Sequence, residues 1–430
     1  MPQAARLMLL RARALLADPL VRGFGAFGGA EIANRGVRLV TTIIIARQLA
    51  PAIVGEAALA LTLFELIRVL GGIGVGQRII AATSQELAAV CNMARRLFWL
   101  WALVLVALQM AVASLLHIAF GQTGAATKLA ALSAVYLIMP GGLVHCYLAM
   151  REGLNARLAK TSATQAVSDH ILTAILLLLW PDPWSIVLPK LLTAPIWLVM
   201  TRHNRPWRPD AMAGFACWRS MVRYGGGVLA ADGLTALRQQ GDNLFIAATM
   251  GSSALGTYYF AYNAGLGIVT SLVNSFGTVS FPMLCATASG HDRRLMLRKI
   301  MLAGLAVFAP LIAAQSLLAP FYVPLIFGEH WAFAAPLIAI LCLAGFAQLA
   351  SVLTANWLRA DGRVGMDARR SLMSCIFALG GLYLGAQLGG LQTAVVGLVA
   401  GTSLAAGIAA FATLAPALRR PAFPAKENLA

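Results

Sequence analysis

Glu31, Asn34, Arg35, Arg38 and Thr42 stand at helical spacing inside an otherwise apolar stretch. On a helix they share one face. Two guanidiniums side by side can grip an oxyanion such as a phosphate, each through a planar fork of N–H donors. A carboxylate among them can hold a proton or a small cation. The same mixture recurs further along: Thr62, Glu65 and Arg68; Ser162, Gln165, Asp169 and His170; Asp232, Thr235, Arg238, Gln239 and Asp242; Tyr258, Tyr262, Asn263 and Asn274. Lys190 adds one more cation. The chemistry these residues offer is recognition of an anion and exchange of an ion. No nucleophile is paired with a base, and GxxxxGK[ST], GxSxG and HExxH are absent from the sequence. "GFGAFG" at 23–28 matches GxGxxG, but it opens an apolar helix with no strand before it, so it reads as small residues for helix packing.

The elements that carry these residues are read from composition. The chain has 430 residues, is 60% hydrophobic and only 11% charged. Soluble domains run near ~25% charged. Apolar runs long enough to cross ~30 Å of hydrocarbon recur throughout. The expected fold is all-α: a polytopic membrane protein of about twelve spans, at 22–47, 54–76, 97–119, 127–150, 161–180, 184–201, 223–249, 254–281, 295–319, 331–358, 366–388 and 391–415. An ionisable group at the bilayer centre costs at least ~2.5–3.5 kcal/mol, so it faces a bundle interior or hydrated space instead of lipid.

Most of the 33 Lys and Arg residues fall at the two termini or in every second connection, as in "RHNRPWR" at 202–208 and "RADGRVGMDARR" at 359–370. By the positive-inside bias both termini are expected on the cytoplasmic side. The net charge of +17 then faces anionic lipid and calls for no nucleic acid. The six cysteines show no metal or disulfide spacing and read as packing residues. "MPQAARLMLLRARALLADP" reads as a cytoplasmic leader. The expected organisation is a leader at 1–21, helices one to six at 22–201, a linker at 202–222, helices seven to twelve at 223–415 and a tail at 416–430.

The two halves echo each other. Ile45, Ala46, Gly55 and Ala60 of "IARQLAPAIVGEAALA" match Ile246, Ala247, Gly256 and Ala261 of "IAATMGSSALGTYYFA", and Glu31 falls on Asp232. Two parallel six-helix halves follow, with a polar cavity expected between them near midplane. Within it Glu31–Arg35, Glu65–Arg68 and Arg238–Asp242 admit two readings, an ion pair along one helix or groups that contact a solute. Their concentration in spans one, two and seven favours the second for the set. Substrate contacts are expected from Asn34, Arg35, Arg38, Arg68, Arg238, Gln239, Tyr258, Tyr262, Asn263 and Asn274, and ion coupling from Glu31, Glu65, Asp169, Asp232 and Asp242. Arg47 and Lys128 read as interfacial anchors, and His117 and His145 as ordinary satisfied or interfacial residues. Neither metal nor cofactor is expected.

"RLVTTIIIARQLAPAIVGEAALALTLFELIRVLGGIGVGQRII" (38–80) resembles the opening of the polysaccharide transporter family, the flippases of O-antigen and exopolysaccharide synthesis. "LRQQGDNLFIAATMGSSALGTYYFAYN" (237–263) is similar to that family's seventh and eighth helices, and "VPLIFGEHWAFAAPLIAILCLAGFAQ" (323–348) to its ninth-to-tenth connection and tenth helix. The resemblance implies two six-helix lobes, alternating access and ion coupling. It implies a substrate, undecaprenyl-pyrophosphate-linked oligosaccharide, flipped across the bacterial inner membrane. Membrane lipids, a polysaccharide polymerase and a chain-length regulator are its implied partners. The resemblance also implies membership of the multidrug/oligosaccharidyl-lipid/polysaccharide exporter superfamily, within which a lipid II-type flippase and a multidrug cation exporter remain as alternatives. A glycan polymerase needs larger external loops than this chain has. A non-transporting scaffold leaves the charged interior unused.

Overall fold

The structure, a computed structural model, describes residues 36–71, 75–287 and 290–419; over part of one helix, from 220 to 238, most side chains fall outside the description. Glu31, Asn34, Arg35 and the leader lie outside the described residues. Those described are helical almost throughout, with no strand among them. The helices are α1 (36–48), α2 (Pro51–Val69), α3 (Val75–Ala81), α4 (Leu87–Phe120), α5 (Thr123–Leu132), α6 (Val135–Ile138), α7 (Pro140–Arg151), α8 (Asn155–Leu179) and α9 (Trp184–Asn204). Then follow α10 (Trp218–Ala264), α11 (Leu266–Cys285), α12 (Gly290–Phe327), α13 (Ala335–Ala360), α14 (Val364–Leu388) and α15 (Leu391–Arg419).

Among the described residues eight helices are long and apolar enough to cross a membrane, or nine if α5–α6 and α7, bent by 54° at their break, count as one span. The chain is a multi-pass membrane protein. The remaining expected spans are those where charge concentrates or the description stops. Thus α1 is described only from residue 36, and α2 carries Glu56, Glu65 and Arg68 within 19 residues.

Local sequence explains the ends. Pro51 presets the first turn of α2, where a missing N–H costs nothing, after Ala50 in an extended conformation. Helix α4 stops at Gly121, whose φ of 63° suits a residue without Cβ. The N–H groups of Gly121 and Gln122 fold back to the carbonyls of His117 and Leu116 at 3.1 Å each. At 34 residues α4 is ~51 Å long. It therefore outruns the bilayer and carries Arg95 and Arg96 beyond it.

One boundary falls where expected and one does not. At "GSSA" the chain kinks: Gly251 (φ 84°, ψ 179°) leaves the helical conformation and separates two helices, numbered together as α10. The expected single span 254–281 is instead divided at Gly265 (φ −120°, ψ −94°), where α11 begins. A glycine can take either geometry without a side-chain clash.

The chain divides into two compact units, Val40–Tyr259 and the sequence on either side of it. In the first, Val75, Ile79, Val90, Cys91, Phe98, Leu148 and Met221 form a core against which Trp207 and Ala216 pack. The connection 205–217 is strapped to this core. Asn92 Nδ2 donates to the carbonyls of Asp210 and Gly214 at 2.6 and 3.0 Å, and Arg205 pairs with Glu152 at 2.7 Å. His145 Nδ1 lies 2.9 Å from the Arg205 carbonyl, and the Arg96 guanidinium sits 3.6 Å above the Phe215 ring. In the second unit the core is Val269, Val273, Phe276, Leu297, Phe308, Ile312, Leu349 and Leu353. There α14 and α15 lie backbone to backbone: a Cβ on Gly381 would fall 2.1 Å from the Gly397 carbonyl oxygen, and one on Gly397 would fall 2.0 Å from that of Gly381. Small residues permit this approach where no water is present to drive association.

Arg151 completes the short helix α3. Its Nη1 donates to the carbonyls of Ile79, Ile80 and Ala82 at 3.2, 2.8 and 2.6 Å. A cation at a helix C-terminus satisfies acceptors that have no partner within the helix and opposes the negative end of its dipole. Arg151→Met, which keeps most of the apolar stem, is expected to cost about 1–3 kcal/mol locally. The measurement is hydrogen–deuterium exchange, which should rise over residues 75–83 and leave α4 unchanged.

Candidate functional site

The polar residues of the spans fall into separate groupings. In the unit that contains 260–419, Arg38 of α1 donates through Nη2 to Asn263 Oδ1. Asn263 is buried, two residues before the break at Gly265. The break matters because helix ends inside a membrane leave backbone carbonyls without intrahelical partners. Half a turn past Asn263, Gly265 is wedged against Ile338 and Cys342: a Cβ there would fall 2.9 and 3.0 Å from their side chains. Lower on α11, Asn274 accepts from Gln348 Nε2 at 3.1 Å. Tyr262 is partly buried on the last turn of α10.

In the unit Val40–Tyr259 three pairs stand out. Glu65 and Arg68 meet at 2.6 Å across one turn of α2, with 27% and 44% of their side chains accessible. Asp169 of α8 meets Lys190 of α9 at 3.2 Å. Glu65 and Tyr259 lie close enough to Lys190 to act on its charge, so the first two pairs share a neighbourhood. Thr41 Oγ1 donates to the His170 carbonyl at 3.1 Å and ties α1 to α8 there. The third pair is Asp242 with Tyr258, whose hydroxyl donates to Oδ2 at 2.5 Å while the Asn243 N–H donates to Oδ1 at 2.9 Å. Tyr258 is 1% exposed, and Asp242 is partly buried. Gln239 is exposed on α10, and of Asp232 and Arg238 only the backbone, on α10, is described.

A fourth pair was not foreseen. Lys128 of α5, expected as an interfacial anchor, is 4% exposed and donates to Glu56 Oε1 of α2 at 2.5 Å, beneath the Trp184 ring at 5.0 Å. The correction has a plain cause. A lysine that finds a carboxylate and an aromatic face within the protein has no need to reach the headgroups. That partner lies 72 residues away, and no local pattern announces it. Gln348 was missed for the same reason. Lys190 was visible as a charge in an apolar span, yet nothing in its own neighbourhood marked it as facing Asp169.

The repeat appears as contact geometry. A Cβ on Gly55 would fall 1.7 Å from the Ser252 carbonyl oxygen, and a Cβ on Gly256 would fall 1.9 Å from that of Pro51. Ser252 and Gly256 stand at the positions of Pro51 and Gly55 shifted by the repeat offset (252 − 51 = 256 − 55 = 201). At this one crossing each partner therefore presents to the other the surface it receives. Among the described residues no three His, Cys, Asp or Glu side chains gather as a metal site requires.

Comparison with known proteins places this geometry. A family model described as polysaccharide biosynthesis protein matches residues 44–336. The succinoglycan biosynthesis transport protein ExoT of Rhizobium meliloti is 23% identical over 384 residues, covering 84% of this chain and 74% of that protein. The lipopolysaccharide biosynthesis protein WzxC of Escherichia coli is 19% identical over 361 residues, covering 83% and 73%. Among solved structures, a multidrug resistance MATE family transporter of the MOP superfamily, in an inward-facing conformation, superposes with a TM-score of 0.64. Its sequence identity is 14%, and the match covers 89% of this chain and 94% of that one. The fold is that of these transporters.

Proposed function

This chain belongs to the polysaccharide biosynthesis protein family, and from that premise we propose that it is a flippase. It carries a polyprenyl-pyrophosphate-linked oligosaccharide across the bacterial inner membrane, for O-antigen, capsule or exopolysaccharide synthesis. The family match over residues 44–336 carries the reading. The names of ExoT and WzxC, which speak of transport and of surface polysaccharides, support it. So do the polar groups of the spans. Arg38 in one unit and Arg68 in the other each hold forked donors, which a phosphate can take in place of Asn263 or of Glu65 as acceptor. Tyr262, Asn274 and Gln239 offer a ring and amides to sugars, while the polyprenyl tail stays in lipid. Arg35, Asn34 and Arg238 are further candidate contacts in this reading. Glu31, Asp232 and the partly buried Asp242 are carboxylates whose protonation could bias one state over another, each by its differential affinity and no more. The two lobes are helices one to six and seven to twelve, with both termini cytoplasmic, and the chain acts as a transporter and not as an enzyme.

Deletion of the gene, followed by mass spectrometry of lipid extracts, tests the proposal. A polyprenyl-pyrophosphate-linked glycan should accumulate, accessible to a cytoplasmic-side probe in inverted vesicles, and surface polysaccharide should fall. Unchanged lipid-linked glycan together with altered resistance to cationic drugs would replace the flippase with an exporter.

A further inference from the structure

We propose that Lys190 binds the anionic group of the transported lipid and that Asp169 is its internal stand-in, occupying the ammonium in the empty transporter and yielding it when substrate arrives. This rests on the reading of the chain as a flippase.

The pair is not built as a structural ion pair would be. Inside a membrane protein a buried pair offsets its desolvation only when the remaining donors and acceptors are also bonded. Here Asp169 accepts from Lys190 on Oδ2 at 3.2 Å, while Oδ1 is buried and has no hydrogen-bond partner. An ammonium carries three donors, and the contact at 3.2 Å is long for a charge-assisted bond. The Asp367 cluster shows the contrast within the same chain: both of its oxygens are taken, by Arg359 at 2.7 Å and Arg370 at 2.8 Å. Lys190 keeps 32% of its side chain accessible, and Asp169 keeps 15%.

The helix that bears Lys190 is shaped for this. Pro189 and Pro195 interrupt the hydrogen-bond ladder of α9 on either side of it, and Thr193 Oγ1 caps the Pro189 carbonyl at 2.8 Å. The Glu65–Arg68 pair lies near enough for Glu65 to act on the charge of Lys190, with both members partly accessible. The two cations are thus each covered by their own carboxylate, and the two pairs together carry no net charge. An incoming dianion meets two cations that already have the partners it must displace. After it leaves, the carboxylates close over them again, and no bare charge accompanies the return of the empty carrier.

Purified full-length protein in nanodiscs tests this, with farnesyl pyrophosphate as the probe and inorganic pyrophosphate beside it. Lys190→Gln should weaken binding of both about ten-fold or more, and Lys190→Arg should restore it, which a packing defect would not allow. Asp169→Asn should tighten binding several-fold, because the ammonium loses its competitor. Equal affinities in wild type, Lys190→Gln and Asp169→Asn would overturn the proposal, as would equal weakening in both or a loss confined to the prenylated probe. If Lys190→Gln does not fold, Asp169→Asn decides alone: tighter binding supports the proposal, and unchanged or weaker binding overturns it. A wild-type protein that binds neither probe refutes the flippase reading itself. Binding that ignores both substitutions refutes only the role of this pair.

Discussion

Alanine at Gly256 is expected to be among the most damaging single-methyl changes in the molecule. The added Cβ would stand 1.9 Å from the Pro51 carbonyl oxygen and 2.7 Å from the Gly55 nitrogen. Both obstacles are backbone, so no rotamer change can clear them and the two helices must separate. Overpacking of this kind costs typically 1–3 kcal/mol and occasionally more, and a backbone clash belongs at the upper end. Gly407→Ala is the control, since a Cβ there meets nothing within 4 Å and alanine gains helix propensity, about 1 kcal/mol in soluble hosts. Thermal unfolding in detergent should show Gly256→Ala well below wild type and Gly407→Ala at or above it. Gly55→Ala should resemble Gly256→Ala. The double variant should cost less than the sum, because once the crossing has opened the second methyl finds room. Equal melting temperatures for the 256 and 407 variants would show that this crossing is not under compression.

The second large effect is expected at Arg38. Loss of its guanidinium should lower transport about ten- to hundred-fold, the value of one or two charge-assisted hydrogen bonds to a phosphate. Arg38→Lys should recover only part, since a point charge cannot reproduce a planar fork. Asn263→Ala should do less harm than either, because it frees the guanidinium for substrate at the cost of a buried contact. The assay is restoration of surface polysaccharide in a deletion strain, at equal amounts of variant in the membrane. Full restoration by Arg38→Ala would remove Arg38 from the substrate path.

How much of this was legible in the sequence depends on the range of the interaction. Helices α4, α8, α9 and α12–α15 coincide with apolar runs because hydrocarbon thickness and backbone satisfaction leave a spanning segment few choices. Glu65 and Arg68, three residues apart, pair as their spacing allows. Gly55 and Gly256 were legible as a repeated residue. That they press against one another was not, because a repeat fixes which surfaces are alike and not which surfaces meet. Gly265 sits in "YNAGLGIV", with neither proline nor charge to mark a break, and reads as one more packing glycine. Lys128 and Lys190 escaped for the opposite reason. Each is conspicuous in its span, but its fate was decided by a carboxylate on another helix.

The strap at 205–217 bears on how the protein is made. Its partners, Asn92, Arg96, His145 and Glu152, all precede it in the chain. Every one has left the ribosome before the strap emerges, so it closes on a surface already complete, in keeping with domains forming from the N-terminus during synthesis. Met221, four residues after the strap, is fully buried in that same core. The first turn of α10 can thereby be moored before the end of the helix has emerged. The later helices are threaded into the bilayer from a fixed point of origin.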